Sequence, residues 1–217
     1  MGIQERKERE KEQRRQTIID AAETIFFSKG FDNATMDEVA EKAELSKGTI
    51  YLYFRSKEDL QFAIFMRGSD ILVEMMKQRL REDQDGYTSL LVLAESFIAF
   101  SKDYRHYFDF FMHFETSKMD NLNIDRQYIN RYLKEQSPLA LVNRQVRKGM
   151  RDRSLRSDLP EEAFSATLWS QMLGVLMVLN NKASLYRIFD LNEDMIIRTH
   201  LELVSHGGRT KHIKNQR

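Results

Sequence analysis

Apolar residues recur at helical spacing through most of this chain. Ile18, Ala22, Ile25 and Phe26 form one stripe, which predicts a first helix from about Arg15 to Lys29, ended by Gly30. Thr35 followed three residues later by Glu38 is a capping box, so a second helix starts at Met36, with Met36, Val39, Ala40 and Ala43 inward. Glu44-Leu45-Ser46 interrupts it, and Ser46 caps a third helix, Lys47 to Phe54, anchored by Ile50 and Phe54. Two short helices across so tight a turn read as a helix-turn-helix, whose second helix lies in the major groove of DNA with its N-terminal residues nearest the bases.

Further along, Ser56 caps a long helix through Leu60, Ile64, Ile71 and Met75 to about Arg81, with Gly68 a weak point costing about 1 kcal/mol relative to alanine. After a turn at Asp83–Gly86 come helices at about Thr88–Lys102 and His106–Phe114, unusually rich in aromatic residues. Ser117 to Asn123 reads as a loop, Ile124 to Lys134 as a helix, and Ser137-Pro138 as its break. Leu139 to Met150 is again helical. Asp158 and Pro160 open a helix that is apolar on nearly all sides from Phe164 to Leu179, and Asn192-Glu193-Asp194 starts a last one. A helix apolar all round must be covered all round, and a chain of this length has too few elements to do so. A partner chain is implied.

Composition narrows the picture. Two prolines and nine glycines in 217 residues suit helices with short joints. Without cysteine there is no disulfide framework, thiolate metal site or cysteine nucleophile, in keeping with a reducing cytoplasm. No signal peptide opens the chain, and unbroken apolar runs such as Val175 to Leu179 are too short to span a bilayer, so no membrane partner is expected. His113 and Glu115 lack a third ligand at helical spacing, so no metal or other cofactor is expected. Nor does any Ser/His/Asp spacing, glycine-rich phosphate loop or paired carboxylate suggest an enzyme. The net charge is +1, and residues 1–60 carry eleven Lys and Arg against thirteen Asp and Glu. A DNA binder with this balance must place its few cations well. Arg144, Arg147, Lys148, Arg151, Arg153 and Arg156 make the most basic stretch, but their spacing wanders round the helix as on a solvated face.

Over Ile18 to Leu60 the chain resembles the DNA-binding domain of the TetR family of bacterial transcriptional regulators. The resemblance rests on Gly30-Phe31, Thr35-Met36, Ser46-Lys47-Gly48-Thr49-Ile50-Tyr51, Tyr53-Phe54, Ser56-Lys57 and Leu60. Many members have Tyr where this chain has Leu52, and His where it has Tyr53. The resemblance implies an all-α fold: an N-terminal three-helix domain with the helix-turn-helix, then a larger helical domain for ligand binding and dimerisation. The expected divisions are a flexible arm at 1–16, the DNA-binding domain at 17–58, the effector and dimerisation domain at 59–205, and a disordered basic tail at 206–217. Thr35, Ser46, Lys47, Gly48, Thr49, Tyr51, Tyr53 and Lys57 are the expected DNA contacts. For Lys57 a phosphate would explain a cation at a helix N-terminus, and Arg14 or Arg15 is a further candidate for the backbone or minor groove.

A two-fold homodimer is expected through the last two long helices, with Leu168, Leu173, Leu176, Ile197, Leu201 and Val204 at the interface, bound to a palindromic operator of double-stranded DNA. Phe97, Phe100, Tyr104, Phe108, Phe111, Tyr128, Trp169 and Met172 are the candidate lining for an apolar or aromatic small-molecule effector, which the resemblance implies acts by pushing on the helix Lys57–Arg81. The expected role is that of a ligand-responsive regulator, a repressor by preference. The alternative is a DNA-organising or protein-binding factor of the same fold without an effector.

Overall fold

The computed structural model describes residues 2–113 and 126–209, the side chains of 113 and 182–185 excepted. The described residues form ten helices joined by short turns and loops: α1 (Ile3–Lys29), α2 (Met36–Lys42), α3 (Lys47–Tyr53), α4 (Lys57–Arg79), α5 (Gly86–Asp103), α6 (Arg105–His113), α7 (Arg126–Glu135), α8 (Pro138–Asp152), α9 (Glu161–Arg187) and α10 (Glu193–Gly208). The only strand-like pairing among them is an isolated antiparallel bridge, Leu155 to Arg209. The expected loop Ser117–Asn123, Phe114, Glu115 and most of the basic tail lie outside the described residues.

Packing divides the chain into two units: Met1–Gly68 with His106–Asp125, and Ser69–Arg105 with Arg126–Arg217. In the first, the head, Ile18, Ala22 and Phe26 of α1 meet Val39 and Ala40 of α2, Ile50 and Phe54 at α3, and Leu60 and Ile64 of α4, all buried. α1 begins twelve residues before the expected Arg15. Its charged first turns are stitched along the helix by Glu5 accepting from the Gly2 amide (2.9 Å) and by an Arg6–Glu10 ion pair (2.8 Å).

α6 also packs into the head. Phe27 lies edge-on to Tyr107 and Phe110 at centroid distances of 5.2 and 5.4 Å, and Phe110 stacks on Phe26 at 6.0 Å. Gly68 is therefore a close-approach residue rather than a weak point. A Cβ there would stand 2.9 Å from the Tyr107 ring. Below the rings, the Tyr107 hydroxyl donates to Glu23 (2.7 Å), and Arg67 reaches Glu23 (2.8 Å), Asp20 (2.7 Å) and Gln16 (2.5 Å). Burial pushes the Glu23 carboxyl above the usual range against these partners, and burial and Glu23 together push the Tyr107 phenol up.

In the second unit α5 crosses α8 at two glycines. A Cβ on Gly86 would fall 2.1 Å from the Gly149 nitrogen, so nothing larger fits, and Leu155 covers Gly149 from the other side. α4 contributes Leu72, Val73 and Met76 here, buried, while Ile71 and Met75 are half-buried. Continuing the register of Leu60 and Ile64 to Ile71 and Met75 thus misses by one residue. The inward side of a long helix is chosen by whatever packs on each length of it. The Tyr132 hydroxyl of α7 sits 2.9 Å from both Ser69 Oγ and Asp70 Oδ1. α9 turns Phe164, Ser165, Met172, Leu176 and Leu179 inward. Its segment Glu161–Asn181 is long and apolar enough to cross a membrane by length and composition, with mean hydropathy 1.3, and only 28% of it is buried within the chain.

Candidate nucleic-acid interface and apolar cavity

The helix-turn-helix is set by caps. The Thr35 hydroxyl accepts from the Glu38 amide (3.3 Å) while Glu38 accepts from the Thr35 amide (2.9 Å), the reciprocal box expected. Lys29 pairs with the same Glu38, whose carboxyl is held below its usual pKa by Lys29 and the Thr35 groups. Glu44 closes the turn with φ +54°, a left-handed conformation usually taken by glycine. Ser46 then accepts from the Thr49 amide (3.1 Å). Ile50 is fully buried and Phe54 nearly so, fixing the inner side of α3.

The outer side of α3 is what remains for a partner. Ser46, Lys47 and Gly48 are exposed, Thr49 is half-buried, and Tyr51 and Leu52 stand out at 42% and 84% exposure. A Cβ on Gly48 would meet only Ser46 Oγ, at 3.9 Å, so the open space lies outward. Tyr53 is half-buried against the head core. Lys47 pairs with Asp37 across the turn (2.6 Å), and the hydrogen bond raises its pKa. Leu52 is the functional candidate that reading the sequence missed. A projecting isobutyl group can meet the thymine methyl, the one apolar feature of the major groove.

Lys57 has a role the sequence did not suggest. Its ammonium donates to the carbonyls of Phe31 (2.8 Å), Ala34 (3.1 Å) and Asp32 (3.3 Å) and lies 4.4 Å over the Phe31 ring. Carbonyls of the loop between α1 and α2 satisfy the donors of this cation, so no phosphate is needed to explain its placement.

The second unit holds a narrow apolar cavity of about 80 Å³ among α5, α8, α9 and α10. Of the eight side chains expected to line a pocket, Phe97, Trp169 and Met172 do so, with Phe97 and Trp169 stacked at 4.8 Å. The other five do not. Phe100 is fully buried and stacks on Tyr104 at 5.6 Å, and Tyr128 is 55% exposed. Phe108 is fully buried in α6, and Phe111 stacks on Phe65 at 4.9 Å within the head. The aromatic excess of α6 is therefore spent on packing.

Three expected interface residues, Leu168, Leu201 and Val204, line the cavity, and Leu168 and Val204 also line an open groove between α9 and α10. Leu176 and Ile197 belong to the chain's own core, and Leu173 is half-buried. Beside Leu168 and Val204 that groove, an open apolar strip, is lined by Ala163, Thr167, Gly174, Val175 and Leu203. Leu203 is 69% exposed and Gly174 has nothing within 4 Å of a Cβ position.

Polar groups reach the cavity at one side. The Tyr87 hydroxyl donates to Ser205 (2.8 Å), whose own hydroxyl donates to the Leu201 carbonyl (2.6 Å). His200 also lines it, and burial lowers its pKa, which favours the neutral imidazole. Met76, Leu155, Phe164 and His200 line the cavity without any signal in their local sequence. No group of three or more candidate metal ligands occurs among the described residues.

Residues 18–64 match the family described as bacterial regulatory proteins, tetR family. The chain is 35% identical over 103 residues to the HTH-type transcriptional activator FasR of Mycolicibacterium smegmatis, covering 46% of this chain and 47% of that protein. It is 31% identical over 88 residues to the fatty acid metabolism regulator protein of Bacillus subtilis, covering 40% and 45%. These matches span about half the length of the curated relatives. In fold, the chain is similar to the fatty acid degradation regulator FadR from Bacillus halodurans, with a TM-score of 0.65, 19% identity and coverage of 88% and 93%.

Proposed function

We infer that this chain belongs to the TetR family of bacterial regulatory proteins, and from that premise we propose that it is a transcriptional regulator that reads a palindromic DNA operator as a homodimer. The observation that carries the reading is α3 itself, anchored by buried Ile50 and Phe54 with Ser46, Lys47, Gly48, Tyr51 and Leu52 outward. Lys47, Thr49 and Tyr51 supply hydrogen bonds to base edges and phosphates, Gly48 admits close approach, and Leu52 supplies the apolar contact. Thr35, Ser46 and Tyr53 stand beside them and position the backbone of the motif. Lys57 supports the same surface by holding the loop before α2.

The dimer is proposed through the open strip of α9 and α10, with Val175 and Leu203 replacing the core residues Leu176 and Ile197. An apolar helix with so little of its length buried calls for cover, and a second copy offers a strip of the same kind. Two identical heads then require two identical half-sites.

The proposed effector is a fatty acyl chain in the apolar cavity. The names of the Bacillus subtilis relative and the Bacillus halodurans neighbour supply the class. The apolar lining by Leu90, Leu93, Phe97 and Met172 supports the class, but about 80 Å³ is well below the roughly 300 Å³ of a ligand pocket, so admitting the chain requires these helices to part. An effector shifts operator affinity only as far as it binds the two states differently.

Selection of duplexes from random DNA, repeated with palmitate or palmitoyl-coenzyme A present, tests all three parts. A palindromic consensus whose binding changes with the acyl compound is the expected result. Absence of any selected sequence would sink the regulator reading. Thermal stabilisation by the acyl compound with unchanged DNA affinity would remove the switch and leave the binding site.

A further inference from the structure

The head carries a net negative count of side chains, and several of its cations are already engaged. Lys29 pairs with Glu38, Lys47 with Asp37, Arg67 with Asp20 and Glu23, and Lys57 lies among three carbonyls. Duplex affinity comes mostly from cations that displace counterions from phosphates, so the source of that attraction has to be found elsewhere.

α1 supplies it. The helix runs unbroken from Ile3, so the residues before the packed part have defined directions. Lys7, Lys11, Arg14 and Arg15 follow one another at steps of four, three and one, which places them within about 100° of arc at 3.6 residues per turn. Ile18 and Ala22 continue the same side of the helix into the head core. Glu5, Glu8 and Glu12 recur at steps of three and four on a different side. The side chains of Lys7, Lys11 and Arg14 are exposed and make no ion pair or hydrogen bond among the described residues. At the inner end of the stripe the Arg15 guanidinium lies 5.2 Å over the ring of Phe54, the residue that caps α3. The stripe therefore starts beside the recognition helix and extends outward from it.

We propose that Lys7, Lys11 and Arg14 form a phosphate-binding rail: the N-terminal extension of α1 lies along the backbone of duplex DNA while α3 reads the major groove. From Lys7 to Arg14 the helix rises roughly 10 Å, a length that spans two to three successive phosphates of one strand. The rail gives affinity without sequence preference, the complement of what α3 gives. This inference rests on the reading of the head as a DNA binder.

The test uses the full chain, a selected duplex and a scrambled one, with binding followed by fluorescence anisotropy from 50 to 200 mM salt. Lys7→Gln, Lys11→Gln and Arg14→Gln are combined in one variant, and circular dichroism checks that the fold is kept. The slope of log affinity against log salt should fall by about 0.9 for each phosphate no longer neutralised. Over this range the parent's advantage over the variant should then shrink about fortyfold. Preference for the selected duplex should stay as in the parent. Arg9→Gln removes the same charge from the far side of the helix and should leave the slope unchanged. An unaltered slope in the triple variant overturns the rail, and so does an equal fall per charge in Arg9→Gln. A parent that discriminates duplexes, with a triple variant of unaltered slope, overturns the rail alone. A parent that binds no duplex overturns both the rail and the DNA reading.

Discussion

The head and the bundle of α5, α8, α9 and α10 are both helical and both cored by ordinary apolar side chains, yet they are specified over different distances in the chain. In the head, Thr35 meets Glu38, Ser46 meets Thr49, and Ser56 meets Asp59, each three residues apart. In the bundle, the cavity brings Met76, Phe97, Leu155, Phe164 and His200 together from separate stretches of the chain, and Gly86 meets Gly149 across the α5–α8 crossing. Local capping builds a surface that is ready to be read, because its polar groups are fixed by neighbours in sequence. A cavity exists only once distant helices have packed, and its walls are whatever the packing leaves unfilled.

The sharpest way to break that contrast lies in the bundle. Leu176 is 2% exposed, so Leu176→Glu should unfold the second unit, the lost side chain alone costing about 2–5 kcal/mol. Leu203→Glu, at a position 69% exposed, should leave the protomer folded and separate the dimer. Thermal melts and analytical ultracentrifugation distinguish the two. A Leu203→Glu protein that sediments as the parent does would move the interface away from α10.

In the head, Gly48→Phe should lower affinity for the selected duplex about a hundredfold or more, since groove interactions worth about 1–3 kcal/mol each disappear together. The melting temperature should not fall, because Gly48 is exposed and a Cβ there meets only Ser46 Oγ. Anisotropy titrations of the variant and parent on one duplex decide this. Retained affinity would mean that α3 is not the reading element.

Gly86→Ala should destabilise the second unit by about 1–3 kcal/mol through overpacking against Gly149. Gly174→Ala, with open space around it, should instead gain up to about 1 kcal/mol of helix propensity in the protomer. Chemical denaturation measures both, and equal effects of the two substitutions would remove the distinction between a crossing glycine and an exposed one.

The smallest effect expected is a pH dependence. Burial holds the His200 imidazole below its ordinary pKa of about 6.5, so the folded chain binds fewer protons there than the unfolded chain. The stability this contributes is complete above that value and is lost as pH falls through the folded pKa. Melting temperatures between pH 7.5 and 5.5 should fall less steeply for His200→Gln than for the parent.

Much of the head is legible in the residues themselves. The box at Thr35 and Glu38, the Ser46 and Ser56 caps, and the anchors Ile50 and Phe54 all stand as the spacing predicts. Lys57 is not legible in the same way, because its partners are carbonyls of residues 31–34, and backbone acceptors leave no mark in a pattern of side chains. The aromatic run of α6 misleads for a related reason. Its composition says that large rings must be buried, but not that Phe26 and Phe27 of α1 would take them.

By itself the sequence determined the helices of this chain, their caps and the outward residues of α3, because hydrogen bonds and periodicity act over three or four positions. Tertiary structure alone decided which apolar residues of α9 and α10 face the cavity, which face the chain's own core and which stay open. Nearly all of them are Leu, Val, Ile or Met, and burial free energy follows the area removed from water, not the identity of the surface that covers it.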